Sequence, residues 1–177
     1  MTPVRSLKSR ALQWLAQREH SRMELHRKLL THALAEAAPI DDAPFGASRS
    51  RAGAEVRAAA AERVQALLDW LEANHHLCDE RFAESRVHAR ASRFGNLRIR
   101  SELKQHAVAL TADAADALKN SELARAQSVC ERRFAGVEPT PAARARQARF
   151  LAGRGFSPDT IRRVLRGTVQ PGKPDAP

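Results

Sequence analysis

The sequence predicts an all-α protein of three tandem three-helix repeats in an elongated, curved array. Three observations carry that expectation. Alanine, leucine, arginine and glutamate dominate, only 5% of residues are aromatic, and tyrosine is absent, a mix that favours helix over sheet. Apolar residues recur at helical spacing along most of the 177 residues. A helix start followed four residues later by a large aliphatic side chain then recurs along the chain.

The first helix follows from Leu7, Ala11, Trp14 and Leu15, one face at i, i+4, i+7, i+8. Ser21 and Glu24 form an S-x-x-E capping box for a second helix, with Leu25 and Leu29 inward. Pro39, Pro44, Gly46 and Gly53 mark a loop over 39–53. A third helix resumes near Glu55 and carries Val56, Ala60, Val64, Leu67, Leu68 and Leu71, ending near Asn74.

Asp79 is the expected N-cap of the next helix, with Glu80 in its first turn. Ala83, Val87, Ala91 and Phe94 keep its spacing, and Gly95 is expected to stop it in a left-handed conformation. A helix restarts after Asn96 with Ile99 and Leu103, and Thr111 caps a short one ending at Leu118. Leu123, Ala126, Cys130 and Phe134 form the next face, terminated by Gly136 and Pro139. Thr140-Pro141 opens a helix ending at Gly153 and Gly155. Ser157-Pro158-Asp159 starts the last one, with Ile161, Val164 and Leu165 inward.

The organisation read from these signals is a first module over 1–74 with a flexible insertion at 31–53, a second over 75–118, and a third over 119–166. Residues 167–177 form a disordered tail. The repeat matches Arg22-Met23-Glu24-Leu25 with Arg100-Ser101-Glu102-Leu103, and Ser21 and Leu25 with Ser157 and Ile161. Such arrays have few contacts between distant modules, which is what makes them elongated.

The formal charge of +10 is blocked: +5 over 1–30, −5 over 31–80, +5 over 81–108, −2 over 109–124 and +7 over 125–166. Positive blocks suit a polyanion or an acidic protein groove, although the same charge can serve only to keep a thin array solvated. Cys78 and Cys130 make no disulfide framework, and no secretory or membrane-spanning run is present. A reducing cytoplasm is the expectation.

Chemistry at a catalytic site has little support, for there is no Gly-rich phosphate loop and no nucleophile elbow. Glu80 and Glu84 are one turn apart, as pairs on solvated faces commonly are. His75, His76, Cys78 and Asp79 look like metal ligands, but adjacent histidines at a helix end share one ion poorly and no second cluster completes the set. No metal, cofactor or catalytic residue is therefore expected. The candidates for binding are basic. Arg86, Arg90 and Arg93 share one helix face, followed by Arg98, Arg100 and Lys104. Arg144, Arg146, Arg149, Arg162, Arg163 and Arg166 form a dense later group. Guanidinium groups take phosphates or carboxylates through paired hydrogen bonds, and the shortage of aromatics argues against base stacking.

Two stretches exceed generic helix: Leu71 to Ala83, most specific at Leu77-Cys78-Asp79-Glu80-Arg81-Phe82-Ala83, and Arg149 to Ile161, most specific at Arg154-Gly155-Phe156-Ser157 followed by Ile161. With Arg10-Ala11-Leu12 and Arg18-Glu19-His20-Ser21-Arg22, they resemble the RecX family of recombinase regulators over roughly residues 5–166. His75 and His76 stand where that family usually has a glycine and an aromatic, and Cys78 where it usually has an acidic or amide residue. The motif residues Leu77, Asp79, Glu80, Arg81, Phe82, Ala83, Gly155 and Phe156 read as structural, because apolar residues at helical spacing are usually core.

The resemblance implies a monomeric, non-enzymatic protein. It would lie in the groove of a RecA filament on single- or double-stranded DNA and suppress ATP hydrolysis and strand exchange. DNA repair, recombination and the SOS response are the processes so implied. The competing reading is an autonomous basic DNA-binding protein, since three-helix modules with basic faces resemble helix-turn-helix units. A small enzyme is a distant third.

Overall fold

The computed structural model describes residues 6–37, 48–138 and 140–167, with side chains of the third helix from Gly53 onward. Nine helices and no strand occur among the described residues. They are α1 (Leu7–Gln17), α2 (Arg22–Ala37), α3 (Ser48–Ala73), α4 (Asp79–Ala91), α5 (Asn96–Gln105), α6 (Ala112–Asn120), α7 (Glu122–Phe134), α8 (Pro141–Gly153) and α9 (Pro158–Gly167). The all-helical expectation holds. Most of the loop expected over 39–53, and the tail past Gly167, lie outside the described residues.

Where the flexible insertion at 31–53 is described, it is helix instead. α2 runs on to Ala37, and α3 starts at Ser48, seven residues before Glu55. A lone glycine such as Gly53 costs only about 1 kcal/mol relative to alanine inside a helix. The alanine- and arginine-rich flank around it propagates helix readily.

The chain divides into two compact units. The first comprises residues up to Phe82 together with His106–Val108, and the second comprises Ala83–Gln105 with everything from Ala109 on. In the first unit α2 packs along α3 and α1 packs on α2. Their core is Leu7, Ala11, Leu25, Leu29, Ala33, Ala60, Val64, Leu68, Leu71 and Leu77. Each fully buried leucine of this kind contributes about 1.5–3 kcal/mol. In the second unit α7, α8 and α9 pack on one another around Ala126, Val129, Cys130, Leu151, Phe156, Ile161 and Val164.

Several helix starts carry the caps that the sequence announces. Thr111, Thr140 and Ser157 accept from the amides of Ala114, Ala143 and Thr160 at 3.3, 3.1 and 3.3 Å. Ser6 caps α1 in the same way, through the Ser9 amide at 3.2 Å. Ser21 accepts from the Glu24 amide at 3.1 Å. The capping box is only half made, because the Glu24 carboxylate turns to the Arg18 guanidinium (3.1 Å to Nη1) instead of back along the chain.

Asp79 is not the N-cap of α4. Cys78 holds that place, its carbonyl taking the first helical bond from Phe82 at 3.1 Å, and Asp79 is the first helical residue. Its carboxylate is used on another helix, accepting from the Arg22 amide at the start of α2 at 2.7 Å.

The internal repeat also shifts by one turn. The amides of Leu25, Ile99 and Ile161 donate to the carbonyls of Ser21, Gly95 and Ser157 at 2.9, 3.2 and 2.9 Å. Asn96–Ile99, not Arg100–Leu103, is therefore the counterpart of Arg22–Leu25. A slip of four residues keeps the same helix face, so the apolar pattern alone does not separate the two registers.

Candidate functional site

The expected functional residues lie in the second unit, and its geometry begins with two glycines. Gly95 is not left-handed, as expected of a C-cap, for among the described glycines only Gly136 and Gly155 have positive φ. Gly95 is needed for close approach instead. A Cβ there would stand 2.2 Å from the Phe156 nitrogen and 2.3 Å from the Gly155 carbonyl. The Gly95 and Leu97 amides donate to the carbonyls of Arg154 and Gly155 at 2.9 and 3.0 Å. Gly155, at φ +79°, also packs closely, a Cβ there standing 2.6 Å from the Arg98 Cβ and 2.7 Å from its nitrogen. The α4–α5 turn is thus laid directly on the α8–α9 turn.

That contact gathers arginines from distant sequence around one ring. The guanidinium carbons of Arg90, Arg93, Arg98 and Arg154 lie 5.3, 5.8, 4.5 and 5.8 Å from the centre of Phe94, within cation–π range. Arg154 also covers Phe150 at 4.7 Å. Glu102 neutralises part of this charge, accepting from Arg90 at 2.9 Å and lying 3.5 Å from Arg98. Beside it opens a cleft of about 260 Å³ lined by Ser92, Arg93, Val129, Arg132, Arg133, Phe150 and Arg154.

The other basic candidates are distributed more widely. Arg86 is half-buried on α4, and Arg100 and Lys104 are exposed on α5. Arg144 is half-buried, whereas Arg146 and Arg149 are exposed on α8. Arg162 lies 3.4 Å from Asp159, and Arg163 and Arg166 are exposed on α9. Of the twelve basic residues expected to bind, then, the structure gathers Arg90, Arg93 and Arg98 around one point. It adds Arg132, Arg133 and Arg154, which the sequence reading did not select. Arg154 stood within the quoted R-G-F-S turn, and Arg132-Arg133 form a basic pair in the last turn of α7.

The family-motif residues hold the helices together. Leu77, Phe82, Ala83 and Phe156 are buried, and Glu80 is exposed. Arg81 donates to Glu19 at 2.9 Å and to the carbonyls of His75 and His76 at the end of α3; the bond to Glu19 raises its pKa. In the second unit Glu122, at the start of α7, accepts from the Asn96 amide at 2.9 Å. It also accepts from the hydroxyls of Ser157 and Thr160 at 2.8 and 2.9 Å. Burial works to raise the Glu122 pKa, and these hydrogen bonds overcome it, leaving the carboxyl below its ordinary range. Arg125 donates to the carbonyls of Ala91, Phe94 and Leu118 at 3.1, 2.8 and 3.0 Å, and burial lowers its pKa.

The first unit has its own buried ionic group. His20 Nδ1 lies 3.2 Å from Glu24, and burial lowers the histidine pKa despite that neighbour. Burial also pushes up the Cys130 thiol, so it does not present a reactive thiolate. Among the described residues no group of three or more His, Cys, Asp or Glu could hold a metal ion. None of the described helices is long and apolar enough to cross a membrane.

Comparison with known proteins agrees with this architecture. Residues 79–112 match the second three-helix domain of RecX, and residues 120–165 match the third. The regulatory protein RecX of Leptothrix cholodnii is 44% identical over 167 residues, covering 93% of this chain and 90% of that one. Those of Ralstonia nicotianae and Herbaspirillum seropedicae are 42% and 41% identical, covering 92% of this chain and 87% and 91% of theirs. The relatives are named as regulatory proteins. The chain belongs to the RecX family of regulatory proteins.

Proposed function

We propose that this protein acts without catalysis of its own, in the cytoplasm, by binding a RecA–DNA filament and restraining its ATP hydrolysis and strand exchange. Membership of the RecX family supports this choice of partner. The observation that carries the binding mode is the charge of the second unit, which has 18 basic and 9 acidic side chains against 12 and 11 in the first. A filament presents both phosphates and acidic protein surface, and guanidinium groups serve either through paired hydrogen bonds.

The test is titration of the protein into a RecA ATPase assay on single-stranded DNA. Turnover should fall at protein concentrations well below those that coat naked DNA. Unchanged turnover accompanied by tight, sequence-selective duplex binding would sink this reading in favour of an autonomous DNA-binding protein.

A further inference from the structure

We propose that the cleft lined by Arg93, Arg132, Arg133 and Arg154 is a binding site for the phosphate backbone of a nucleic acid. The proposal deepens the reading above, on which it rests for its biological setting. Its evidence is the local geometry of the second unit.

Three separate stretches of chain supply the four cations. Arg93 follows α4, Arg132 and Arg133 end α7, and Arg154 follows α8. Two of them are held in place by carbonyls. Arg132 donates from Nη2 to Ser92 at 2.8 Å and from Nε to Ser128 at 3.3 Å. Arg154 donates from Nη1 to Arg93 at 3.0 Å. A guanidinium has five N–H donors, so each retains others for a ligand while its orientation is restricted.

Charge compensation separates these four from Arg90 and Arg98 beside them. Arg90 and Arg98 share Glu102. Among the described residues, no ion pair joins a carboxylate to Arg93, Arg132, Arg133 or Arg154. Four like charges around one small cleft repel one another, and a bound polyanion relieves that repulsion.

The lining favours backbone over bases and over acidic peptide. Phe150 is covered on one side by Arg154 and meets Phe134 edge-on at 5.3 Å, which leaves little bare ring for a base to stack on. Val129 is buried, so it is not free to serve as the apolar anchor a peptide side chain would use. The polar part of its lining offers guanidinium donors to oxyanions at a spacing set by the fold. Exposed Arg146, Arg149, Arg163 and Arg166 continue the positive charge through the same unit.

The measurement is binding of a fluorescein-labelled oligothymidine, read by anisotropy, across roughly 50–200 mM salt. The double variant Arg132→Gln, Arg133→Gln should bind about tenfold more weakly, with its log–log salt slope reduced by about 1.4. The corresponding double lysine variant should keep the slope. Arg93→Gln is a second probe, since that exposed side chain lines the cleft and its loss should lower the slope by about 0.7. Circular dichroism melting checks that each variant is folded.

Unchanged affinity and slope in both glutamine variants would overturn the site, as would absence of oligothymidine binding by the parent protein. Poly-glutamate displacing the DNA at equal charge, with the same loss in the variants, would make the ligand an acidic polypeptide instead. The two readings fail separately. If the parent protein leaves RecA turnover untouched while the variants lose oligothymidine binding, the cleft stands and the filament reading falls. If the parent inhibits RecA and the variants bind oligothymidine as it does, the filament reading stands and the cleft falls.

Discussion

The two units solve the same structural problem with different surroundings. In each, an acidic residue at the start of one helix caps the first amide of another. Asp79 of α4 serves Arg22 of α2, and Glu122 of α7 serves Asn96 of α5. In each, a nearby arginine ties down carbonyls at a helix end: Arg81 those of His75 and His76, Arg125 that of Leu118. The difference lies in depth and charge. Glu122 is buried and has several donors, whereas Asp79 is half-buried. The first unit is nearly balanced in charge and the second carries a large positive excess. The same scaffold joint is thus compatible with two electrostatic roles, because the joint uses a few groups at helix ends and the charge excess sits on exposed arginines elsewhere.

The largest expected effect breaks the glycine contact of the second unit. Gly95→Ala places a methyl group against backbone atoms of Phe156 and Gly155, which cannot move aside as a side-chain tip can. The loss of stability should be at least about 3 kcal/mol, the upper part of the overpacking range. Chemical denaturation measures it. A change under about 1 kcal/mol would mean that the two turns separate easily.

Next comes the shared joint. Glu122→Gln should cost about 2–3 kcal/mol, since it removes charged acceptors from buried donors, and Asp79→Asn about 1 kcal/mol. Equal losses would show that burial does not distinguish the two joints. The pH dependence follows from the same carboxylate. The folded Glu122 pKa is depressed, so the unfolded chain takes up the proton first. Its contribution is complete above the unfolded glutamate value near 4.5 and fades as pH falls through the lower folded value. The Glu122→Gln variant should therefore lose less stability than the parent between neutral pH and pH values below 4.5.

The smallest effect compares two helix ends. After α3, the His76 amide donates to Leu71 at 2.8 Å, and after α8 the Phe156 amide donates to Leu151 at 3.2 Å, the same six-residue closure. The left-handed residue is Gly155 in one case and His75, at φ +59°, in the other. His75→Gly should raise stability by about 0.5 kcal/mol, the relief of left-handed strain less the entropy cost of glycine. A loss instead would assign His75 a side-chain role that outweighs its backbone strain.

Legibility followed the range of the physics. The stripe at Ala60, Val64, Leu68 and Leu71 and the caps at Thr111, Thr140 and Ser157 involve neighbours within a few residues, and these were readable directly. Asp79 is legible as a capping residue, but the helix it caps is not, since a carboxylate next to its own helix start gives no sign of a partner 57 positions away. Gly95 was recognised as special for the wrong reason. Both a left-handed cap and a close contact demand glycine, and only the position of Phe156 decides between them.

The candidate site divides along the same line. Sequence alone determined that the chain is helical, that its positive charge falls in blocks, and that motifs at 77–83 and 154–161 resemble RecX. Those properties depend on composition, on local hydrogen bonding and on order along the chain. Tertiary structure decided which arginines lie close together. Arg93, Arg132, Arg133 and Arg154 are up to 61 residues apart, and charge blocks do not specify which side chains converge. Two turns packed backbone to backbone at Gly95 and Gly155 bring Arg93 and Arg154 together, and that contact depends on long-range packing.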